Sequence, residues 1–121
     1  MNEQAAPDSD LLKSFAEEAK RRCDVIAAGL ATETEDFETL RAEAHALRGT
    51  AGAVGLRRLA ELAGLMESDL AEAKDTGILR GGRSHQIADA AKALSDGAAA
   101  AAEGKEEPPD VGRSLAQLFS A

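Results

Sequence analysis

Hydrophobic residues recur along the chain at spacings of three and four, the period of an amphipathic α-helix. A first stripe follows Ser9, a predicted N-cap, and ends near Leu30. Thr32 and Glu35 have capping-box spacing, which predicts the start of a second helix, and Gly55 predicts the turn after it. The stripes of these two helices are Leu12, Phe15, Ala19, Arg22 and Ile26, then Phe37, Leu40, Ala44, Leu47, Ala51 and Val54.

Two more helices are predicted by the same spacing. The third ends at Gly77, and the Gly-rich stretch 77–83 is a predicted loop before Ser84, which caps the fourth. Their stripes are Leu56, Leu59, Leu62, Ala63, Met66 and Leu70, then Ile87, Ala90, Ala91, Leu94 and Ala98. Four amphipathic helices with short connections predict an all-α fold, an antiparallel up-down four-helix bundle.

The chain divides into four predicted parts. Residues 1–8 form a polar N-terminal tail, 9–103 the bundle, and 104–110 a linker that contains paired prolines. Residues 111–121 form a short amphipathic C-terminal segment, whose apolar residues are Val111, Leu115, Leu118 and Phe119. That segment either packs back on the bundle as a fifth helix or docks a partner, and we favour packing back.

Composition supports the helical prediction and excludes several functional classes. The 121 residues include 27 Ala and 14 Leu but only 11 Val, Ile and Thr together, which disfavours a β-sheet. A net charge of −8 disfavours a nucleic-acid binder. One cysteine excludes an internal disulfide, and we find neither a signal peptide nor an apolar run long enough to span a membrane. We therefore expect a cytoplasmic protein.

One histidine stands out because of its surroundings. His45 lies on the second helix but outside its apolar stripe, so we expect it on the outer face. Arg41 and Arg48 lie one turn away on either side, and residues 41–58 hold four arginines against one glutamate. A basic region around an exposed imidazole suits a phosphoryl group, although an ordinary solvated surface remains the alternative.

Three other residues extend this candidate site. Gly49 and Gly52 lie beside His45, where missing side chains would let another protein approach the imidazole; a fraying helix end is the alternative. If the chain turns at Gly55, Glu67 comes level with His45 on the neighbouring helix. A carboxylate that accepts from Nδ1–H would fix the tautomer and leave Nε2 as the nucleophile, whereas a solvated glutamate is the plainer interpretation.

The stretch from His45 to Leu56, with Leu59 and Glu67 after it, strongly resembles the histidine-containing phosphotransfer (Hpt) domain. The family's motif has Lys or Arg, Gly, and Ser or Thr at the third, fourth and fifth positions after the histidine, then a second glycine beyond small residues. The motif is filled here by His45, Arg48, Gly49, Thr50 and Gly55. Glu67 is similar in position to a glutamate of the phosphotransfer domain of chemotaxis kinases.

The resemblance implies a phosphorelay intermediate. Nε2 of His45 would take a phosphoryl group from a receiver-domain aspartyl phosphate or from a histidine kinase, and would pass it to a receiver aspartate. Arg48 would offset phosphoryl charge, with Arg41 as a weaker candidate near the approaching partner. The chain would be a stoichiometric carrier and not an enzyme, without ATP-dependent autophosphorylation of its own. We expect a monomer without cofactor or metal, because in this family Mg²⁺ comes with the receiver.

Two alternatives remain open. A sensor-kinase dimerisation helix pair also contains a phosphoacceptor histidine, but it usually has an acid directly after the histidine and then Thr-Pro. Ala46 and Gly49-Thr50 stand at those positions here. In the other alternative the chain is a helical interaction module and His45 is incidental. A di-metal carboxylate bundle is excluded because no Glu-x-x-His pair is present.

Overall fold

The computed structural model describes residues 9–32 and 36–120. Within these ranges the chain forms five α-helices and no strand, which confirms the all-α prediction. The helices are α1 (Ser9–Leu30), α2 (Phe37–Ala53), α3 (Arg57–Thr76), α4 (Arg83–Ala102) and α5 (Pro109–Phe119). The predicted polar tail, residues 1–8, lies outside the described residues.

Helices α1 to α4 form the predicted four-helix bundle, in which α2 packs mainly on α3 and α1 on α4. The predicted stripes supply most of its core. The largest fully buried side chains of these four helices are Phe15, Ile26, Leu47, Leu62, Met66, Leu70, Ile87 and Leu94, and Val111 of α5 is fully buried as well. Cys23 lies in the same core, where burial raises the pKa of its thiol to about 12, so it serves as a small apolar side chain.

No helix of the described residues has the length and apolar composition that crossing a bilayer requires.

The start of α2 differs from the capping-box prediction. Asp36 is the N-cap: its Oδ1 accepts from the backbone N–H of Thr39 at 3.2 Å and its Oδ2 from the Thr39 hydroxyl at 2.7 Å. The Thr32 hydroxyl instead donates to the carbonyl of Gly29, and Glu35 lies outside the described residues. An aspartate directly before the buried Phe37 caps the helix where its apolar face begins.

The turn between α2 and α3 forms where the sequence predicts it. Gly55 has a φ of 83°, a left-handed conformation that glycine adopts without steric cost. The N–H of Leu56 donates to the carbonyl of Ala51 at 2.9 Å and closes the turn. This tight reversal lays α3 back along α2, so that residues at equal distances from Gly55 lie side by side.

The C-terminal segment packs on α3 and α4, as favoured above. Its helix begins at Pro109, two residues earlier than predicted, because proline at the first helical position has a suitable φ and no N–H to satisfy. Close approach depends on Gly97 of α4: a Cβ there would lie 2.9 Å from Leu59 and 3.1 Å from Val111. The buried residues of α5 are Val111, Ser114 and Leu118.

A buried arginine fixes the end of α5. Arg83 donates to the carbonyls of Gln117, Leu118 and Ser120 at 2.9–3.2 Å, and its Nε lies 3.2 Å from Asp69 Oδ2. These contacts satisfy carbonyls that a helix end leaves without partners. The sequence had placed Arg83 in a loop before a Ser84 cap, whereas α4 begins at Arg83 with a glycine as its N-cap.

Candidate functional site

His45 projects from the outer surface of α2. Its side chain is 65% exposed, whereas Ala44 and Leu47 on the same helix are fully buried. The orientation follows from the apolar stripe, which turns the bundle-facing side of α2 inward and leaves His45 outside it. A ligand or a partner therefore reaches the imidazole without any movement of the core.

Glu67 of α3 forms a hydrogen bond with Nδ1, the nitrogen of this imidazole that faces the bundle. Its Oε2 lies 2.8 Å from His45 Nδ1, and its side chain is only 15% exposed. Because an ionised carboxylate only accepts, Nδ1 carries the hydrogen of this bond. In neutral imidazole this assignment leaves the lone pair on Nε2. The turn at Gly55 thus brings together the two residues that the sequence predicted to be level.

The carboxylate of Glu67 contacts two arginines in addition to His45. Arg48 Nη1 donates to Glu67 Oε1 at 3.1 Å, and Arg41 Nη1 lies 3.5 Å from Oε2. Burial acts to raise the pKa of Glu67, but the hydrogen bonds from His45 and Arg48 outweigh it, so the pKa lies below its ordinary value. Glu67 is therefore a carboxylate at neutral pH and remains an acceptor for the imidazole.

The two arginines are not equally available to a ligand. Arg41 is 25% exposed and donates two hydrogen bonds to Glu38, each 2.9 Å long. Hydrogen bonds from Arg41 and then Lys74 lower the pKa of Glu38 to about 2, so this pair stays charged. Arg48 is 59% exposed and has its ion pair with Glu67 alone among the described residues. Arg48 is thus the more accessible cation.

The glycines of α2 leave open surface beside the imidazole. α2 remains helical through Gly49 and Gly52, both of which are exposed. A Cβ at either position would meet no atom within 4 Å, so packing inside the chain does not require glycine there. Each glycine costs about 0.8–1 kcal/mol of helix stability relative to alanine. The two glycines therefore leave the surface beside His45 without side-chain bulk, and no contact within the described chain accounts for them.

Thr50, which completes the sequence motif, faces away from this site. Its hydroxyl lies 2.9 Å from the carbonyl of Ala46 and 3.2 Å from Glu18 Oε2 on α1. Arg22 links the same Glu18 to Glu43 of α2, with both ion pairs at 2.8 Å. These polar contacts hold α1 against α2.

Sequence reasoning missed Glu38, although its spacing of three from Arg41 on an exposed helix face was an available signal. In the described ranges, no three His, Cys, Asp or Glu side chains group closely enough to hold a metal ion. The assembled cluster is thus an accessible imidazole, a carboxylate on its inner nitrogen and a flanking arginine.

Comparison with known proteins agrees with this arrangement. A model of the Hpt domain family matches residues 10–118, and so it includes α5 as well as the four-helix bundle. No curated protein that was compared matches the chain. Domains of this family transfer phosphoryl groups through histidine in phosphorelays, and they are carriers rather than kinases. The chain belongs to the Hpt domain family.

Proposed function

We propose that His45 is the phosphoacceptor of this Hpt domain and that Nε2 is the reacting atom. The observation that carries this proposal is the 2.8 Å hydrogen bond from Nδ1 to Glu67, which directs the lone pair of an exposed imidazole outward. Nε2 forms a P–N bond as the P–O bond of an aspartyl phosphate breaks, and the aspartate leaves as a carboxylate. Transfer to the next aspartate is the reverse of this step.

Glu67 also compensates the charge that forms on the ring. When neutral His45 attacks through Nε2 and keeps its Nδ1 proton, the imidazole becomes cationic. The carboxylate 2.8 Å from Nδ1 stabilises that cation as it develops. Glu67 therefore acts as a positioning residue that fixes the tautomer and favours the phosphorylated ring.

Arg48 neutralises charge on the incoming phosphoryl group, and Gly49 and Gly52 make room for the protein that brings it. Transfer through a loose transition state depends on positioning and charge neutralisation, and Arg48 is the exposed cation one turn from His45. Gly49 and Gly52 leave room for the partner's backbone, and Arg41 borders the same approach while it holds Glu67. This division of roles is part of the proposal.

The partners of this reaction are receiver domains and a histidine kinase, as is general for the family. We propose that the chain acts as a monomeric cytoplasmic carrier that does not phosphorylate itself from ATP. Mg²⁺ would be bound by the receiver, where it neutralises the aspartyl phosphate. A pure interaction module would not need the contact between His45 and Glu67, so that contact favours phosphotransfer.

The direct test mixes the protein with a panel of phosphorylated receiver domains and Mg²⁺, and resolves the products on a gel that retards phosphoproteins. We expect a retarded band that survives base and disappears in acid, because the P–N bond of phosphohistidine is acid-labile. If no receiver shifts the protein while a known Hpt domain reacts under the same conditions, the chain is an interaction module instead.

Replacing Arg48 by alanine should slow transfer from a phosphorylated receiver without abolishing it. The variant loses one charge-assisted contact to the phosphoryl group, which corresponds to about 10- to 100-fold in rate. Single-turnover transfer, followed by quenching and the same gel, measures this rate. Arg21→Ala, at an exposed arginine of α1, is the matched control and should transfer at the wild-type rate. An unchanged rate for Arg48→Ala would remove Arg48 from the proposed site.

Replacing Glu67 by glutamine should slow transfer about tenfold, because a neutral amide stabilises the cationic ring less than a carboxylate does. The variant should also be less stable than wild type at pH 7. Since the folded pKa of Glu67 is lowered, its stabilisation is present above the unfolded pKa and is lost as the pH falls through the folded one. Urea unfolding across pH should therefore show the two proteins converging below about pH 4. Parallel stability curves would contradict this role for Glu67.

A further inference from the structure

An apolar groove lies between α3 and α5, next to the candidate site. The residues that form this α3–α5 groove are Ala60, Gly64 and Leu65 of α3, and Leu115, Ala116 and Phe119 of α5. Arg48, Arg58 and Glu61 stand at its edges. Apart from Arg48, no residue of this groove and no residue of α5 has a role in the function proposed above.

Phe119 is exposed on a rigid support. Its side chain is 82% exposed, whereas Phe15 and Phe37, the other two phenylalanines, are buried. Arg83 donates to the carbonyls on both sides of it, Leu118 and Ser120, at 3.2 and 2.9 Å. Because the buried Leu118 directly precedes it, the backbone that carries the ring is anchored in the bundle. The fold thus keeps the Phe119 ring exposed to solvent, and the protein forgoes the stabilisation that burial of this apolar surface would give.

The groove is continuous with the His45 site through Arg48. The Arg48 guanidinium donates to Glu67, the partner of His45, while the same side chain forms one edge of the groove. Gly64 lies against the stem of Arg48, since a Cβ there would be 3.6 Å from Arg48 Cδ. A protein that places a phosphoryl group on His45 therefore stands next to the groove as well.

Arg48 is the cation that a partner meets at the groove edge. Of the two arginines that border the groove, Arg58 is paired with Glu107 at 2.9 Å, whereas Arg48 is 59% exposed and contacts Glu67 at 3.1 Å. A domain that presents an aspartyl phosphate is anionic at its reacting end, and Arg48 lies at the groove edge nearest to His45.

We propose that the α3–α5 groove is a second contact for the receiver domain that exchanges its phosphoryl group with His45, and that Phe119 fits an apolar site on that receiver. The proposal rests on the phosphotransfer function proposed above and extends its partner surface to the C-terminal helix. Phe119 then strengthens binding of the receiver, while His45 carries out the phosphotransfer itself.

The test compares Phe119→Ser with the wild type, using a phosphorylated receiver that is active in the panel. The initial transfer rate is measured against receiver concentration. We expect the concentration that gives half the maximal rate to rise about tenfold, as is typical when a phenyl ring loses its burial, while the maximal rate changes less than twofold. Leu11→Ser, at an exposed apolar residue of α1, is the matched control and should leave both values unchanged.

Phosphoramidate, a small phosphodonor, separates docking from chemistry. Because it needs no protein surface, it should phosphorylate Phe119→Ser and wild type at equal rates. Equal dependence on receiver concentration for the two proteins overturns the groove proposal and leaves phosphotransfer intact. Sedimentation that shows a wild-type dimer and a monomeric Phe119→Ser assigns the groove to a second copy and also overturns it. If neither phosphoramidate nor any receiver phosphorylates the wild type, the proposed function fails, and the groove proposal fails with it.

Discussion

Replacing His45 by glutamine is expected to abolish phosphoryl acceptance completely. Glutamine retains a polar side chain of similar size but has no nitrogen lone pair that can form the P–N bond. The fold should be preserved, because the imidazole is 65% exposed and Glu67 keeps its contacts with Arg48 and Arg41. We expect the free energy of unfolding to change by less than about 0.5 kcal/mol. Gel retardation with an active receiver measures acceptance, and urea unfolding measures stability.

A matched control for this substitution is His85→Gln, at the second histidine of the chain, which is exposed on α4. It should accept phosphate at the wild-type rate. If His45→Gln still formed an acid-labile phosphoprotein and His85→Gln did not, the phosphoacceptor would be His85. If both variants were active, the modified residue would not be a histidine of this site at all.

The second large effect is expected at Gly49. A leucine there adds bulk to the exposed surface beside His45. We expect transfer from a receiver to fall about 100-fold, because a misplacement of the reacting atoms by about 1 Å can cost about 100-fold in rate. Stability should move in the opposite direction. Since a Cβ at Gly49 meets no atom within 4 Å, the variant gains helix propensity, by somewhat less than the about 0.8–1 kcal/mol that separates glycine from alanine.

This opposition between stability and transfer distinguishes close approach from a structural need for glycine. Gly49→Ala should already raise the free energy of unfolding by about 0.8–1 kcal/mol and slow transfer only modestly. Ala99→Leu places the same leucine side chain at an exposed position of α4 and should leave transfer unchanged. Normal transfer by Gly49→Leu would refute the close-approach interpretation, and destabilisation would show that α2 needs glycine here for its own packing.

The arrangement of the helices was largely readable from the sequence, because each helix has one apolar stripe and local spacing decides which residues share a face. Phe37, Leu40 and Leu47 form such a stripe, and all three are buried. His45 lies off the stripe, so its exposure could be predicted without any tertiary information. Gly55 was readable as well, since few other residues adopt its positive φ.

Contacts between helices required the tertiary structure. The sequence placed Glu67 level with His45, but only the packing of α3 on α2 gives the 2.8 Å contact. Arg41 was expected near the partner's approach, yet the folded chain holds it between Glu38 and Glu67. Long charged side chains have several rotamers of similar energy, so their partners are decided by whichever groups the fold brings near.

The C-terminal helix α5 shows most clearly which features the sequence predicts and which require the tertiary structure. Its amphipathic spacing predicted a helix that buries Val111 and Leu118, and both are buried. The same spacing grouped Phe119 with them, but its ring is exposed. α5 packs on α3 and α4 and buries Val111, Ser114 and Leu118, whereas Phe119 stays outside that contact. The sequence by itself thus determined the helices and the sides they bury, through local periodicity. Only the tertiary structure decided which surfaces stay uncovered, because that depends on how much area the neighbouring helices offer.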